Sequence, residues 1–257
     1  MERTRTLVVA CTVLVGSAIF ATDAAAQTKV TKCQSLSASG SYVLGSNITA
    51  VTAGGPCLSI AADFVTIDLN GFTIDCAGSN GEGVSEGSNV QGTTVRNGTV
   101  AHCYRGLNLA GSNALVEQVR AVSNTNEGIT IGHSGIVKDS HASQNGGDGI
   151  AVFFYGLVTG SNSFGNGGNG ISAGNGSSVI GNTTSENAGN GLLAALSLVV
   201  KNNSFGNTGY GYFVYCPGNV LDNMARGNQH GSPGAINFFY DTTTLSGTCN
   251  TSNNWEP

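Results

Sequence analysis

Gly128-Ile129-Thr130-Ile131-Gly132-His133-Ser134-Gly135-Ile136-Val137-Lys138-Asp139-Ser140-His141-Ala142-Ser143-Gln144-Asn145 is the stretch that decides the fold. Gly128-Ile129-Thr130-Ile131 and Ile136-Val137-Lys138-Asp139 each alternate apolar and polar residues, as strands with one buried face do. Ser140 to Asn145 supplies a third short strand and a turn. Asn and Gly at such turns tolerate the left-handed backbone that sharp corners require.

The pattern recurs along the chain. A glycine followed by an apolar or aromatic residue returns as Gly106-Leu107, Gly128-Ile129, Gly149-Ile150, Gly170-Ile171, Gly191-Leu192 and Gly211-Tyr212, at intervals of 22, 21, 21, 21 and 20 residues. A second column runs through Val95, Val116, Val137, Val158, Val179, Val200 and Val220, and a third through Asn124, Asn145, Asn166, Asn187, Asn207 and Asn228. A fixed period of this length marks a solenoid, in which each unit buries its apolar face only by stacking on its neighbours. The unit is too short for two helices and their turns. The sequence therefore predicts an all-β, single-stranded, right-handed parallel β-helix of about 8 coils of about 21 residues each. Stacking of like residues makes the Asn column a side-chain amide ladder.

The predicted organisation is a signal peptide over 1–26, an N-terminal cap over 27–60, the helix over 61–240 and a C-terminal tail over 241–257. Arg3 and Arg5 precede an apolar run from Leu7 to Ala21 and the small residues Ala24-Ala25-Ala26, which is the pattern of a secretory leader. That run is too short to span a membrane, so no membrane span is expected and the protein is placed outside the cytoplasm, secreted or periplasmic. A lipid-attachment reading of Val8-Val9-Ala10-Cys11 has too few apolar residues before the cysteine. The formal charge of −5 carries no clustered Lys and Arg, which argues against a nucleic-acid partner. Oligomeric state is not readable.

Six cysteines follow the leader, and an even count in a secreted chain points to disulfides. None has a zinc or redox spacing. Asn70-Gly71-Phe72-Thr73-Ile74-Asp75-Cys76 aligns without gaps on Asn97-Gly98-Thr99-Val100-Ala101-His102-Cys103. Equivalent positions on successive coils lie about 4.8 Å apart, which pairs Cys76 with Cys103. Cys33 with Cys57 and Cys216 with Cys249 complete the set.

Val65-Thr66-Ile67-Asp68-Leu69-Asn70-Gly71-Phe72-Thr73-Ile74, followed by the Gly and Asn columns, resembles the bacterial parallel β-helix-repeat proteins of the pectate-lyase-like superfamily over roughly residues 40 to 240. That resemblance implies the fold. It leaves the function among polysaccharide lyases, glycoside hydrolases, uronan epimerases, phage tail proteins and periplasmic accessory proteins. The Asp-Pro-His motif of alginate epimerases, the Asn-Thr-Asp, Asp-Asp, Gly-His-Gly and Arg-Ile-Lys motifs of polygalacturonases, and the calcium-binding Asp run and Arg-x-Pro-x-x-Arg segment of pectate lyases are all missing. Gly132-His133-Ser134 is a partial echo of one of them.

Without a motif, a site is sought in columns of ionisable residues. The position before each repeat glycine holds Glu82, Arg105, Glu127, Asp148, Asn169, Asn190 and Tyr210. Glu127 and Asp148 on adjacent coils would lie near the roughly 5 Å at which two carboxyl groups act as acid and nucleophile, and Arg105 would hold an acidic sugar. These three are the catalytic candidates. Close carboxylates also offer oxygen ligands to Ca2+, while no His or Cys pair has the spacing of a metal site. The plainer alternative is an ion ladder in which Arg105 neutralises Glu82 and Glu127. Arg96, Glu117 and Lys138 read as an exterior charge stripe, and Arg120, His141 and Asn162 as a column whose histidine lacks a carboxylate. Phe153-Phe154-Tyr155 and the Tyr210–Tyr215 region cannot point every ring inward. Phe154, Tyr155 and Tyr210 are therefore the substrate-binding candidates, as rings that stack on sugars, with packing at the end of the core as the alternative. The expected function is interaction with an extracellular polysaccharide, with lyase or hydrolase-like turnover open. A noncatalytic envelope, surface or adhesive protein is the alternative.

Overall fold

Each coil of the chain makes three short strands separated by three sharp corners, and every strand pairs in parallel with its equivalent one coil on. The central coil shows the unit as Ile129–His133, Ile136–Lys138 and His141–Ser143, which pair with Ile150–Phe154, Leu157–Thr159 and Asn162–Phe164. The computed structural model describes residues 27–50, 54–229, 237–244 and 247–255, and the expected leader over 1–26 lies outside them. The result is a right-handed parallel β-helix of about 9 turns with a repeat of about 21 residues, one more turn than expected. We call the three sides the first, second and third faces in the order just given. The first is a ten-stranded parallel sheet from Gln34–Leu36 to Phe238–Asp241. The second and third join into one 18-stranded sheet because Thr94–Ala101 and Leu115–Val122 run through the corner between them.

The corners follow from residue chemistry. Gln118, Asp139, Gly160, Gly181, Lys201 and Asp222 turn the chain from the second face to the third, each with a φ between 50° and 67°. Ser123, Gln144, Gly165, Glu186, Gly206 and Gly227 do the same after the third face. Left-handed backbone is strained for most side chains, so five of these twelve positions are glycine and the other seven are polar or charged.

Inside, apolar columns run the length of the solenoid. The second-face column is Ile67, Val95, Val116, Val137, Val158, Val179, Val199 and Val220, and all are fully buried. The column expected through Val200 runs instead through Val199, with Val200 on the half-buried exterior. The one-residue contraction falls between Val179 and Val199, not after Val200. Burial of each Val contributes on the order of 1.5 kcal/mol, so the register is fixed by which of the two adjacent valines faces inward.

Polar ladders brace two corners. Asn124, Asn145, Asn166, Asn187, Asn207, Asn228 and Asn237 form a buried chain in which each side-chain amide donates to the next residue's Oδ1 at 2.8–2.9 Å. A second ladder, unseen in the sequence, stands at the corner between the second and third faces. There Ser140 and Ser161 lead into Asn182, Asn202, Asn223 and Asn254, with amide-to-amide distances of 3.0–3.1 Å. Parallel in-register stacking brings identical groups one rung apart, the geometry an amide ladder needs.

All three expected disulfides are present, Cys33–Cys57, Cys76–Cys103 and Cys216–Cys249, with Cα separations of 4.4, 4.7 and 5.0 Å. Strand pairing among the described residues begins at Thr28–Val30 and ends with Asn250–Ser252 against Asn219–Leu221, so the strands at both ends of the described chain stack in register with the coils. No helix among the described residues is long and apolar enough to cross a membrane.

Candidate functional site

The entrance to the first face has no room for a side chain. A Cβ on Gly128 would meet Asn145 Nδ2 at 2.6 Å and the Gly149 carbonyl at 2.7 Å, and the same crowding holds at Gly170 and Gly211. Glycine is therefore required where the coil presses on the Asn ladder, and strand alternation turns the residue before it outward. Backbone hydrogen bonds from each glycine to the pre-glycine carbonyl of the next coil place Glu82, Arg105, Glu127, Asp148, Asn169, Asn190 and Tyr210 in one exterior column, all half-buried. Six steps at about 4.8 Å make it roughly 29 Å long.

The column is organised in two parts. Arg105 Nε donates to Glu127 Oε2 at 2.7 Å, its Nη1 lies 3.5 Å from Glu82 Oε1, and its guanidinium sits 5.4 Å from the centre of the Tyr104 ring. Burial opposes its charge, but the bond to Glu127 and the two carboxylates outweigh burial and raise its pKa. Asn108 Nδ2, one position into the strand, donates to Glu82 at 2.7 Å. Beyond Glu127 begins an amide ladder of opposite sense. Asp148 Oδ1 accepts the Asn169 backbone N–H at 2.6 Å and its side-chain amide at 3.1 Å, Asn169 Oδ1 accepts from Asn190, and Asn190 Oδ1 accepts from the Tyr210 backbone at 2.9 Å. Burial pushes the Asp148 carboxyl up, the Asn169 bonds pull it down, and the Glu127 charge raises it further, with a net rise. Among the described residues no three His, Cys, Asp or Glu side chains converge in a way that could hold a metal ion.

At the C-terminal end the same face turns aromatic. Tyr210 stacks on Phe239 at 5.0 Å, Phe213 lies 5.5 Å from Tyr210 and 4.7 Å from Phe239, and Tyr215 lies 5.0 Å from Phe213. All four are half-buried on the exterior. Tyr212, between them, points inward, is fully buried, and stacks on Phe238 at 4.7 Å. The rings thus divide between the exterior and the end of the core. Phe154 and Tyr155 stand elsewhere, at the corner between the first and second faces. Phe154 packs 5.0 Å from the His133 ring, and the exposed Tyr155 ring covers Gly176.

Two groups escaped the columns. Glu86 shares the inward column of Leu109 and is only 6% exposed; its Oε1 accepts the Gly111 N–H at 3.0 Å while Oε2 and the Thr93 hydroxyl are buried without a clear partner. Burial raises its pKa. The alternation Val84-Ser85-Glu86 already placed it on the buried side. Asp139 lies at the corner beside His141, two residues away and outside its column.

Fold and site together define a parallel β-helix protein with one chemically loaded exterior face. No protein-family model and no curated protein sequence matches the chain. Among solved structures, the A-module of mannuronan C-5 epimerase AlgE4 from Azotobacter vinelandii is similar over 90% of this chain and 78% of its own, at 16% identity and a TM-score of 0.72. The Dettilon tailspike protein covers 88% of this chain and 60% of its own at 13% identity and a TM-score of 0.56. The pectate lyase Pel9A covers 85% and 70% at 13% identity and a TM-score of 0.50. At these identities the likeness is one of fold.

Proposed function

We propose that the protein is secreted and binds an extracellular polysaccharide along the first face. The observation that carries this is the continuity of one exterior strip, in which carboxylates, a guanidinium and amides at one-rung spacing lead into the rings of Tyr210, Phe213 and Phe239. Sugar rings stack on such aromatics, and their hydroxyls donate to and accept from amides and carboxylates at the same time. Glu82, Glu127 and Asp148 set three carboxyl groups against one guanidinium, so the strip suits a hydroxyl-rich neutral chain better than a polyanion. Arg105, held between Glu82 and Glu127, serves to fix Glu127. The leader-like segment, the three disulfides and the polysaccharide-acting proteins of like fold agree with this reading.

Hydrolysis is the second reading, favoured by the contrast between an ion-paired Glu127 and an Asp148 whose carboxyl pKa is raised by burial. One rung apart, they match the acid and nucleophile of a retaining glycosidase. A glycan-array screen of the purified protein, with reducing-end and unsaturated-product assays on every bound glycan, tests both readings. Binding lost in Tyr210→Ala with melting unchanged supports the first, and new reducing ends lost in Asp148→Asn support the second. An array with no bound glycan returns the protein to the noncatalytic surface role.

A further inference from the structure

The third face carries a feature that the first-face site does not use. An open groove of about 640 Å³ runs along the corner between the second and third faces, over Gln118, Arg120, Asp139, His141, Gly160 and Asn162. Arg120, His141 and Asn162 are direct strand partners on three successive rungs, so their outward side chains line the groove about 4.8 Å apart. Arg120 is exposed and its side chain makes no hydrogen bond or ion pair with any described residue, whereas Arg96, Arg105 and Lys138 on the same or neighbouring coils are each paired to a carboxylate. His141 is half-buried, and its ring likewise makes no hydrogen bond with a described residue. Asp139 and Gly160 form the corner floor. A Cβ at Gly160 would sit 2.5 Å from Asp139 Oδ1, so the bare glycine lets the Asp139 carboxylate lie against the corner.

We propose that this groove is a binding site for a hydroxylated ligand bearing an oxyanion, a carboxylate or a sulfate. Arg120 holds the oxyanion, and its planar fork of donors suits either group. His141 and Asn162 donate to or accept from the neighbouring hydroxyls, and Asp139, the one carboxylate at the groove, accepts from a hydroxyl at the corner. Burial and the adjacent Arg120 both lower the His141 pKa, so the ring is neutral at pH 7 and offers an acceptor as well as a donor. The site is separate from the Arg105–Glu127 column, on another face of the helix.

The test is histidine proton NMR of the whole protein at pH 7, with the His141 resonance assigned by its loss in His141→Gln. Titrations use sodium glucuronate, sodium sulfate and glucose. The proposal expects saturable shifts of His141 with glucuronate, weaker ones with sulfate that glucuronate displaces, and none with glucose. Arg120→Gln should weaken glucuronate roughly tenfold or more, the loss of a charge-assisted contact, Arg120→Lys should weaken it less, and the control Arg96→Gln should retain it. Equal shifts with glucose, or an Arg120→Gln protein that still binds glucuronate as tightly, would overturn it. Glu127→Gln leaves this titration unchanged, so its outcome is independent of the first-face reading.

Discussion

Asp148 takes the place of an amide in a ladder of amides: its Oδ1 accepts both the backbone and the side-chain N–H of Asn169, one coil further on. The same oxygen could be an asparagine's. What the carboxyl adds is a second, ionisable oxygen in a place where burial disfavours charge. Because its folded-state pKa is raised, its contribution to stability is complete below the ordinary Asp pKa and is lost as pH rises through the folded value. Asp148→Asn should therefore melt higher than wild type at pH 7 and alike at pH 3, as read by circular dichroism at both pH values.

Glu86 follows the same sign inside the core. Its buried carboxyl accepts from Gly111, and its other oxygen faces the Thr93 hydroxyl without an ionised partner. Glu86→Gln keeps the acceptor and gives Thr93 a donor, so its melting temperature should exceed that of wild type at pH 7 and converge with it in acid. A variant less stable than wild type at pH 7 that converges with it in acid would show that the carboxylate form is the one the core needs.

The second-face register has a sharp test in two neighbouring valines. Val199 is fully buried in the apolar column and Val200 lies outside it. Val199→Asp, like Val137→Asp, puts an unpaired charge into the core and should cost about 4 kcal/mol or more, while Val200→Asp should cost under about 1 kcal/mol. Denaturant unfolding of the three variants measures both. Equal losses at 199 and 200 would place the contraction elsewhere.

Most of the architecture was legible because the period is written three times over, in Gly, Val and Asn, and each column is an independent count of the same coil. The slip at Val199-Val200 occurred where two apolar neighbours left the count without a witness. Only alternation of burial along Leu198–Val200 decides it. The second ladder was hidden because its members change type from Ser140 and Ser161 to Asn182, although their spacing is regular. The groove beside His141 was missed for a geometric reason: Asp139 joins it across a left-handed corner, and column alignment cannot see side chains that converge across a bend. The pre-glycine column and the pairing of Arg105 with Glu82 and Glu127 were readable, but not the amide ladder beyond Glu127, which depends on side-chain directions.

The main Asn ladder should behave as a cooperative unit. Asn166 Oδ1 accepts the backbone and side-chain N–H of Asn145, and its own amide donates to Asn187. Asn166→Ala strands buried donors on one side and an acceptor on the other, for a loss of roughly 2–4 kcal/mol. Hydrogen exchange should show the loss of protection centred on the coils of Asn145 and Asn187. A loss confined to residue 166 would contradict a coupled ladder.

Calcium should be dispensable to the first face. Glu127 is already bound by Arg105, and Asp148 spends Oδ1 on Asn169; no third His, Cys, Asp or Glu among the described residues converges with them. Glycan binding measured with EDTA and with added calcium should agree within error. A calcium-dependent gain would require the Arg105 pair to open.

The central claim is that a polysaccharide lies along the first face, from Glu127 to the rings at Tyr210 and Phe213. The most direct measurement is calorimetric titration of the strongest array glycan into wild type, Tyr210→Ala and the control Tyr155→Ala, whose exposed ring stands at a different corner. The account predicts a loss of about 1–2 kcal/mol of binding free energy for Tyr210→Ala, the worth of one sugar-stacking ring, and none for Tyr155→Ala. Undiminished binding by Tyr210→Ala, or a loss on Tyr155→Ala alone, would contradict it and place the glycan on another face.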